Sequence, residues 1–229
     1  MFQGTLPVVL NLSKSAVLKP VWIPLDLRFG VTDQFEVFVD HGPVQGGSYA
    51  YGQGVCLGGT SRGCPKLYNN VSIGGQFSFV KDSGFEAAGL LAIELRQLSP
   101  DMLMAVDVGV GVKYISAPVS VKLTPQIGIG INKRSAAGNK EIIAAPLQVA
   151  VQAAQQIAVF LDSGIRGPSS HFGDLYQVPL GLGASFLAMH GLDVGAEFML
   201  PMVAKGSGYS GVKAFDNRYF MLFASWRNL

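Results

Sequence analysis

Hydrophobic and polar residues alternate with a period of two along most of this chain. Residues 106–114 read Val-Asp-Val-Gly-Val-Gly-Val-Lys-Tyr, so β-branched side chains fill one face and Asp, Gly and Lys fill the other. Residues 119–132 repeat the pattern, with Val, Leu and Ile on one side and Lys, Thr, Gln, Gly and Asn on the other. Strict alternation is typical of a β-strand that presents two different faces. Both segments are therefore predicted to be strands.

Alternating segments of about ten to thirteen residues recur along the chain, which is the length that a transmembrane β-strand requires. By this template we predict about twelve strands. They lie near residues 5–13, 17–29, 35–41, 69–80, 85–97, 102–114, 118–132, 142–152, 156–166, 176–187, 191–203 and 217–228.

The connections between these segments differ in length and composition. Short connections with turn residues are predicted at 30–34, 81–84, 116–118 and 188–191. Longer polar loops are predicted at 42–68, 133–141, 167–175 and 204–216. Tight turns on one side and longer loops on the other are typical of outer-membrane barrels, in which an even strand count returns both termini to the periplasmic side.

Composition narrows the fold class. Charged residues make up 14% of the 229 residues, against about 25% in ordinary soluble domains. Transmembrane helices need about 18 or more apolar residues in a row, and polar or charged residues interrupt every hydrophobic stretch sooner. A closed barrel is the other structure that satisfies all backbone groups in hydrocarbon. We therefore predict an all-β protein, a transmembrane antiparallel up-and-down barrel forming a single domain over residues 1–229. The net charge of +2 argues against nucleic acid as a partner.

The segment 142–166 is open to two interpretations. Its Ala and Gln content is compatible with a helix that begins at Pro146. However, Leu147, Val149 and Val151 alternate with Gln148, Ala150 and Gln152, which favours two strands joined by a turn.

Cys56 and Cys64 are the only cysteines and lie in one Gly-rich stretch. In an oxidising compartment two such cysteines predict a disulfide within the loop 42–68. Two free thiols in a cytosolic protein are the alternative. No metal site is predicted, since two sulfurs offer too few ligands and no histidine lies between them. No cofactor is predicted either.

Two segments resemble parts of known bacterial barrels. Residues 28–37 run from a strand through Phe-Gly and a Thr-Asp turn into a returning strand, and are similar to periplasmic hairpins of Gram-negative outer-membrane barrels. Residues 217–229 resemble the aromatic-rich last strand of such proteins. The resemblance implies location in the outer membrane with periplasmic termini. It also implies contact with membrane lipid, including lipopolysaccharide, and insertion by the barrel-assembly machinery. The motifs are generic and identify no single family.

If the β-branched face meets lipid, the charged residues of the predicted strands fall on the opposite, lumen-facing side. A charge on the lipid face would cost about 2–4 kcal/mol at the membrane midplane, so this shared parity supports a barrel. The predicted lumen-facing charges are Asp26, Arg28, Glu36, Asp40, Glu94, Arg96, Asp107, Lys113, Lys122, Asp162, Arg166, Asp193, Glu197 and Arg218. Glycines at 109, 111, 128, 130, 181, 183 and 195 share that face. These residues either line a water-filled pathway or pair with one another in a packed lumen.

Catalytic residues are hard to identify. His41 and His190 fall at a strand end and in a turn, and Ser170 is adjacent to His171 in a loop. A Ser–His pair acts through approach of side chains held by a scaffold, and sequence neighbours normally point apart. The sequence therefore favours a protein that is not an enzyme.

The function that we predict is a passive channel or uptake route for a small solute, with weak ion selectivity because the charges are mixed. One alternative is a non-conducting structural or adhesion barrel. Its loop 42–68 would dock a protein partner through Tyr49, Tyr51 and Tyr68. A second alternative is an enzyme that modifies lipid at the barrel rim.

Overall fold

A computed structural model of the chain describes residues 1–14, 19–41, 54–57, 64, 66–98, 101–135 and 139–228. Within these residues, sixteen strand segments belong to one sheet. They are β1 (Phe2–Asn11), β2 (Val21–Ile23), β3 (Asp26–Gly30), β4 (Phe35–Asp40), β5 (Gly54–Leu57), β6 (Tyr68–Asn69), β7 (Val71–Asp82), β8 (Phe85–Gln97), β9 (Leu103–Ser116), β10 (Val119–Leu123), β11 (Gln126–Gly130), β12 (Ile142–Ala154), β13 (Ile157–Pro168), β14 (Gln177–Met189), β15 (Leu192–Lys205) and β16 (Tyr219–Asn228).

The sheet closes on itself into an antiparallel barrel of twelve strands. Closure is made by β1 and β16, whose register runs from Phe2 opposite Asn228 to Asn11 opposite Tyr219. The segments fill twelve positions because four positions are each occupied by two segments. β2 and β3 both pair with β1, and β10 and β11 both pair with β9 and β12. β5 and β4 come next to β2 and β3, and β6 and β7 come next to β5 and β4. The predicted fold class and strand count are confirmed.

Two predicted strands are each broken by a proline. The prediction at 118–132 becomes β10 and β11, separated by Thr124 and Pro125, and the prediction at 17–29 contains a break at Pro24. Proline has no backbone N–H to donate to the ladder. The break between β10 and β11 stays bonded to its neighbours. Val110 N donates to the carbonyl of Pro125 at 2.9 Å, and Thr124 N donates to that of Pro146 at 3.0 Å.

The segment 142–166 forms two strands, as the alternation predicts, and the helical alternative is wrong. β12 and β13 pair along their length and meet at a turn after Ala154. Pro146 lies inside β12, opposite Gly164. Gly164 has a φ of +136°, and a Cβ there would collide with the backbone of Ala145 and Pro146. Glycine is therefore the residue that this close approach requires.

The prediction of one continuous loop over 42–68 is wrong, because this stretch contains β5 and β6. β5 pairs with β2, so that Val55 lies opposite Ile23 and Cys56 opposite Trp22. The sequence pattern did not indicate β5, because it is only four residues long, lies in a Gly-rich stretch and is held by strands distant in sequence. Tyr49 and Tyr51, which the docking hypothesis used, lie outside the described residues.

Short helical turns order two of the longer connections. A one-turn helix, α1 (Phe172–Leu175), lies in the predicted loop 167–175, and 3-10 turns at Ser207–Tyr209 and Ala214–Asp216 lie in 204–216. Ser207 Oγ hydrogen-bonds Asp174 Oδ1 at 2.7 Å, which joins the two connections.

Two donors lower the pKa of Asp216 in the last connection. The larger effect comes from the backbone N–H of Lys213 and the smaller from the ammonium of Lys14, which lies 3.0 Å away. In the described part of the chain, no α-helix combines the length and the apolar composition needed to cross a bilayer.

Candidate functional site in the barrel interior

The two faces of the barrel wall differ sharply in exposure. One face carries exposed apolar side chains, such as Ile73 (61%), Leu91 (61%) and Leu182 (63%). The opposite positions of the same strands are largely buried. A closed single sheet has no second layer outside it, so side chains become buried only within the barrel. The buried face therefore lies inside the barrel and the exposed apolar face outside it.

Apolar side chains at the end of the wall that carries the longer connections form a disulfide cluster. Its members are Val9, Trp22, Cys56, Cys64, Met199 and Tyr219. Cys56 and Cys64 form a disulfide with a Cα–Cα distance of 5.7 Å, as predicted. The bond lies against the wall rather than in a solvent-exposed loop, because Cys56 belongs to β5 and both cysteines are buried. This cluster fills part of the interior near β1, β2, β15 and β16.

An acidic cluster, formed by Glu94, Asp107 and Arg96, lies on the strands β8 and β9. Glu94 and Asp107 are both 0% exposed. Arg96 Nε donates to Glu94 Oε2 at 3.0 Å. Among the described residues, neither carboxylate oxygen of Asp107 has a hydrogen-bond partner, nor does Glu94 Oε1. Two carboxylates are thus buried beside a single guanidinium.

The connection after β11 covers this cluster. Arg96 Nη1 donates to Asn139 Oδ1 at 3.1 Å and to the carbonyl of Lys140 at 2.7 Å. Asn139 is itself buried and donates to the carbonyls of Met104 and Asn132, each at 2.8 Å. The acidic cluster is therefore closed off from solvent by part of the predicted loop 133–141.

Arg28 organises a second charged group on β3 and β4. Its guanidinium lies 2.8 Å from Glu36 and 3.9 Å from Asp40. It also lies 5.3 Å from the ring centroid of Phe38, which is the cross-strand neighbour of Arg28. Asp26 Oδ1 accepts a hydrogen bond from the backbone N–H of His41 at 3.3 Å. These predicted charges therefore have local partners.

Lys113 and Lys122 lie opposite each other on β9 and β10. Lys122 is exposed to solvent although it lies in the wall, and so is Gln148, its neighbour on β12. Gln148 Nε2 donates to Asp162 Oδ1 on β13 at 3.0 Å. This part of the interior is accessible to water, in contrast to the acidic cluster.

The wall formed by β13 to β16 places large side chains over glycines. A Cβ at Gly183 would collide with the ring of Phe160, and one at Gly195 with the ring of Phe223. The two rings lie 6.0 Å apart. At Gly181 a Cβ would collide with the carboxylate of Glu197. These glycines give room for neighbouring side chains rather than leaving open space in the interior.

The remaining predicted charges lie nearer the ends of the wall. Asp193 forms an ion pair with Arg227 at 3.2 Å. Arg166 Nε donates to Gln177 Oε1 at 3.0 Å across β13 and β14. Arg218 precedes β16, and its Nε donates to the carbonyl of Leu12 at 3.0 Å. The structure therefore distributes the predicted charges among several small groups.

Several interior residues were not singled out from the sequence. Trp22, Phe38, Asn139, Phe160 and Phe223 all take part in the groups described above. Phe160 has the same parity as Asp162 on β13, so alternation could have identified it. Phe223 has the opposite parity to Arg218, the predicted lumen-facing charge of its segment, so alternation from that charge could not have identified it. Asn139 lies in a connection, where no periodicity exists to place it.

Two of the histidines make local contacts in the part of the chain that the structure describes. His171 precedes α1 with a φ of 63°, and its carbonyl accepts from Asp174 and Leu175 at 3.0 Å. His41 Nδ1 contacts the carbonyl of Leu25 at 2.8 Å and its Nε2 contacts the hydroxyl of Tyr68 at 2.9 Å. Within the described ranges, no group of three or more His, Cys, Asp or Glu side chains is arranged to hold a metal ion.

The fold is similar to solved outer-membrane porins and channels. The NanC porin aligns over 97% of this chain and 100% of its own, with a TM-score of 0.68 and 6% identity. The KdgM porin aligns over 99% of both chains, with a TM-score of 0.64 and 6% identity. The COG4313 outer membrane channel from Pseudomonas putida F1 aligns over 98% of this chain and 94% of its own, with a TM-score of 0.60 and 9% identity.

No protein-family model matches the sequence, and no curated protein is significantly similar to it. At these identities the likeness shows the fold, an outer-membrane β-barrel, and leaves function to be argued from the interior.

Proposed function

We propose that this protein is a passive channel for small solutes in a bacterial outer membrane. The observation that carries the proposal is the exposure of Lys122 and Gln148, which are inward-facing polar side chains within the wall and are accessible to solvent. Barrels of about eight strands are filled by side chains, whereas those of sixteen to eighteen strands leave an aqueous channel. Twelve strands lie between these sizes. A narrow aqueous path along part of the interior fits that size.

The packed clusters limit what could pass. The disulfide cluster lies near β1, β2, β15 and β16, and the acidic cluster lies on β8 and β9. Any path must run between them or displace the residues that cover the acidic cluster. The solute that we propose is therefore small, and its proposed transport is passive diffusion through the barrel.

Conductance of purified protein in planar lipid bilayers tests the proposal. We expect discrete, stable current steps in 0.1 M KCl, because the solvent-accessible polar side chains of the wall would line a path that ions can enter. Resistance to unfolding in detergent shows whether the reconstituted protein is folded. A folded protein that gives no current steps would overturn the channel proposal.

A non-conducting structural barrel is the second candidate. Complete burial of Glu94 and Asp107 favours it, since packed charges are also how a closed lumen is built. The same bilayer measurement separates the two candidates.

We further propose that the protein is not an enzyme, that its termini face the periplasm, and that its outer face contacts lipid and lipopolysaccharide. We propose that β16 is presented to the barrel-assembly machinery. Protease treatment of intact cells tests the orientation, since a tag at residue 1 should survive until the outer membrane is opened.

A further inference from the structure

Two lysines face each other across neighbouring strands of the wall. Lys113 on β9 and Lys122 on β10 are directly opposite in register, so both side chains leave the same face. Like charges in directly opposite positions destabilise an antiparallel pair. Arg28, on β3, adds a further repulsion to Lys122 across the interior. Three positive groups therefore act on one region of the lumen.

Two of the carboxylates near these lysines already have other donors. Lys122 interacts electrostatically with Glu36 and Asp162. Glu36, however, accepts from Arg28 at 2.8 Å, and Asp162 accepts from Gln148 at 3.0 Å. Glu86 lies opposite Lys113 on its other side. Among the described residues neither lysine forms an ion pair within 4.0 Å.

An ammonium group has three N–H donors and no acceptor. Lys113 and Lys122 therefore present donors to the water-accessible part of the interior. The acidic cluster does not balance them there, because Glu94 and Asp107 are 0% exposed and lie beneath Asn139 and Lys140. The charges are mixed in number but not in exposure. Lys122 is exposed, whereas its acidic neighbours Glu36 and Asp162 are half-buried.

We propose that Lys113 and Lys122 form a binding subsite for a small oxyanion, a carboxylate or a phosphate group carried by the solute. The subsite rests on the proposed channel function and gives that channel a preference for anions. An anion between the two ammonium groups removes their repulsion and accepts charge-assisted hydrogen bonds from both. Arg28 supplies additional attraction from the opposite wall.

Blocking of single-channel current by added oxyanions tests the subsite. The current is measured in 0.1 M KCl, at which surface charges more than about 10 Å apart are largely screened. Inorganic phosphate and acetate serve as probes for the two oxyanion groups. We expect at least one of them to reduce the current of the wild-type protein. The reversal potential in a KCl gradient should show a preference for chloride.

The double variant Lys113→Gln/Lys122→Gln should raise the half-blocking concentration at least about tenfold and shift the reversal potential toward potassium. Lys140→Gln/Lys213→Gln removes the same number of charges from exposed positions in the connections and should behave as wild type. Lys113→Arg/Lys122→Arg keeps the charge and should keep the block. This variant also provides a test if the glutamine variant does not fold.

The possible failures are distinguishable. A folded wild-type protein with no current overturns the channel itself. Normal current without block by either probe, or with block unchanged in the glutamine variant, overturns the oxyanion subsite while the channel stands. Loss of block in the control variant as well would assign the effect to general charge and would also overturn the subsite.

Discussion

Asp107 shows that two buried acids in the same cluster can differ in their hydrogen-bond partners. Its carboxylate is fully buried, and neither oxygen has a hydrogen-bond partner among the described residues. Glu94 on the adjacent strand shares its burial but has Arg96 as a partner at 3.0 Å. A buried carboxylate without a partner destabilises the folded state, whereas one with a hydrogen-bonded cation does not incur that full penalty. The two acids should therefore respond differently to mutation.

Replacing Arg96 by Met should lower the free energy of unfolding by about 3–5 kcal/mol, because Glu94 would lose its buried counter-charge. Asp107→Asn should raise stability or leave it unchanged, since it removes an unpaired charge. Urea unfolding of the reconstituted protein measures both. Arg134→Met is the control. Arg134 pairs with Glu141 at an exposed position, where such pairs contribute less than about 1 kcal/mol. Equal effects of the two arginine variants would contradict the buried pairing.

Gly183 lies where a neighbouring apolar side chain leaves no room for a larger residue. The ring of Phe160 occupies the space that a side chain at Gly183 would need. The Gly183→Val variant should therefore lose about 1–3 kcal/mol of stability through overpacking. Gly89→Val is a matched control, because a Cβ at Gly89 meets nothing within 4 Å. Adding Phe160→Ala to Gly183→Val should restore part of the loss in urea unfolding. No restoration would mean that the strand itself, rather than the ring, resists the valine.

At the scale of elements, β5 links a short strand to the disulfide. Pairing with β2 places Cys56 opposite Trp22, and the bond to Cys64 anchors the chain to the disulfide cluster. A strand of four residues with two to three paired positions would hold its place weakly by hydrogen bonds alone. The covalent link and the burial of Trp22 stabilise it together.

Replacing both cysteines by Ala should lower the free energy of unfolding by about 2–3 kcal/mol, since the bond closes a short loop in the unfolded chain. Mass spectrometry of the unreduced protein should show the bond, and urea unfolding gives the stability difference. Because both sulfurs are joined in the disulfide, alkylation without reductant should not occur even in the urea-unfolded protein. Ready alkylation of both thiols would contradict the bond and the proposed compartment.

At the scale of the whole molecule, a barrel wall has one face in lipid and one in the lumen. Val110 is exposed on the apolar face, and the neighbouring position 111 holds a glycine whose Cβ direction is nearly open. A one-residue shift in register would exchange the faces of a whole strand. The assignment of every lumen residue therefore depends on this parity.

Spin labels at Val110 and Gly111 test the assignment. In a lipid bilayer the label at Val110 should be relaxed more strongly by oxygen, and the label at Gly111 more strongly by a polar nickel complex. Electron paramagnetic resonance measures both. Labels at Val108 and Gly109 repeat the comparison two residues away, although Gly109 is crowded by Gln126. Equal accessibility of Val110 and Gly111 to the polar reagent would contradict a wall that separates lipid from lumen.

Most of the strands were predictable from the sequence because alternation is a local property. Residues 106–114 and 142–166 carry their period of two in their own side chains, so the strands and the shared parity of their charges follow without knowledge of the partners. The breaks at Pro24 and Pro125 are also local in origin. The assignment of the charged parity to the lumen stays a prediction that the spin labels test.

The tertiary structure decided which distant residues meet. β5 is a strand because β2 lies beside it, and Glu94 pairs with Arg96 beneath Asn139 because the connection after β11 folds over β8. The sequence predicts Lys122 and Asp107 on the same face with opposite charges. In the structure Lys122 is exposed, whereas Asp107 is fully buried. Pairing, burial and exposure depend on the register between strands and on where connections fold. The period of two carries no information about either.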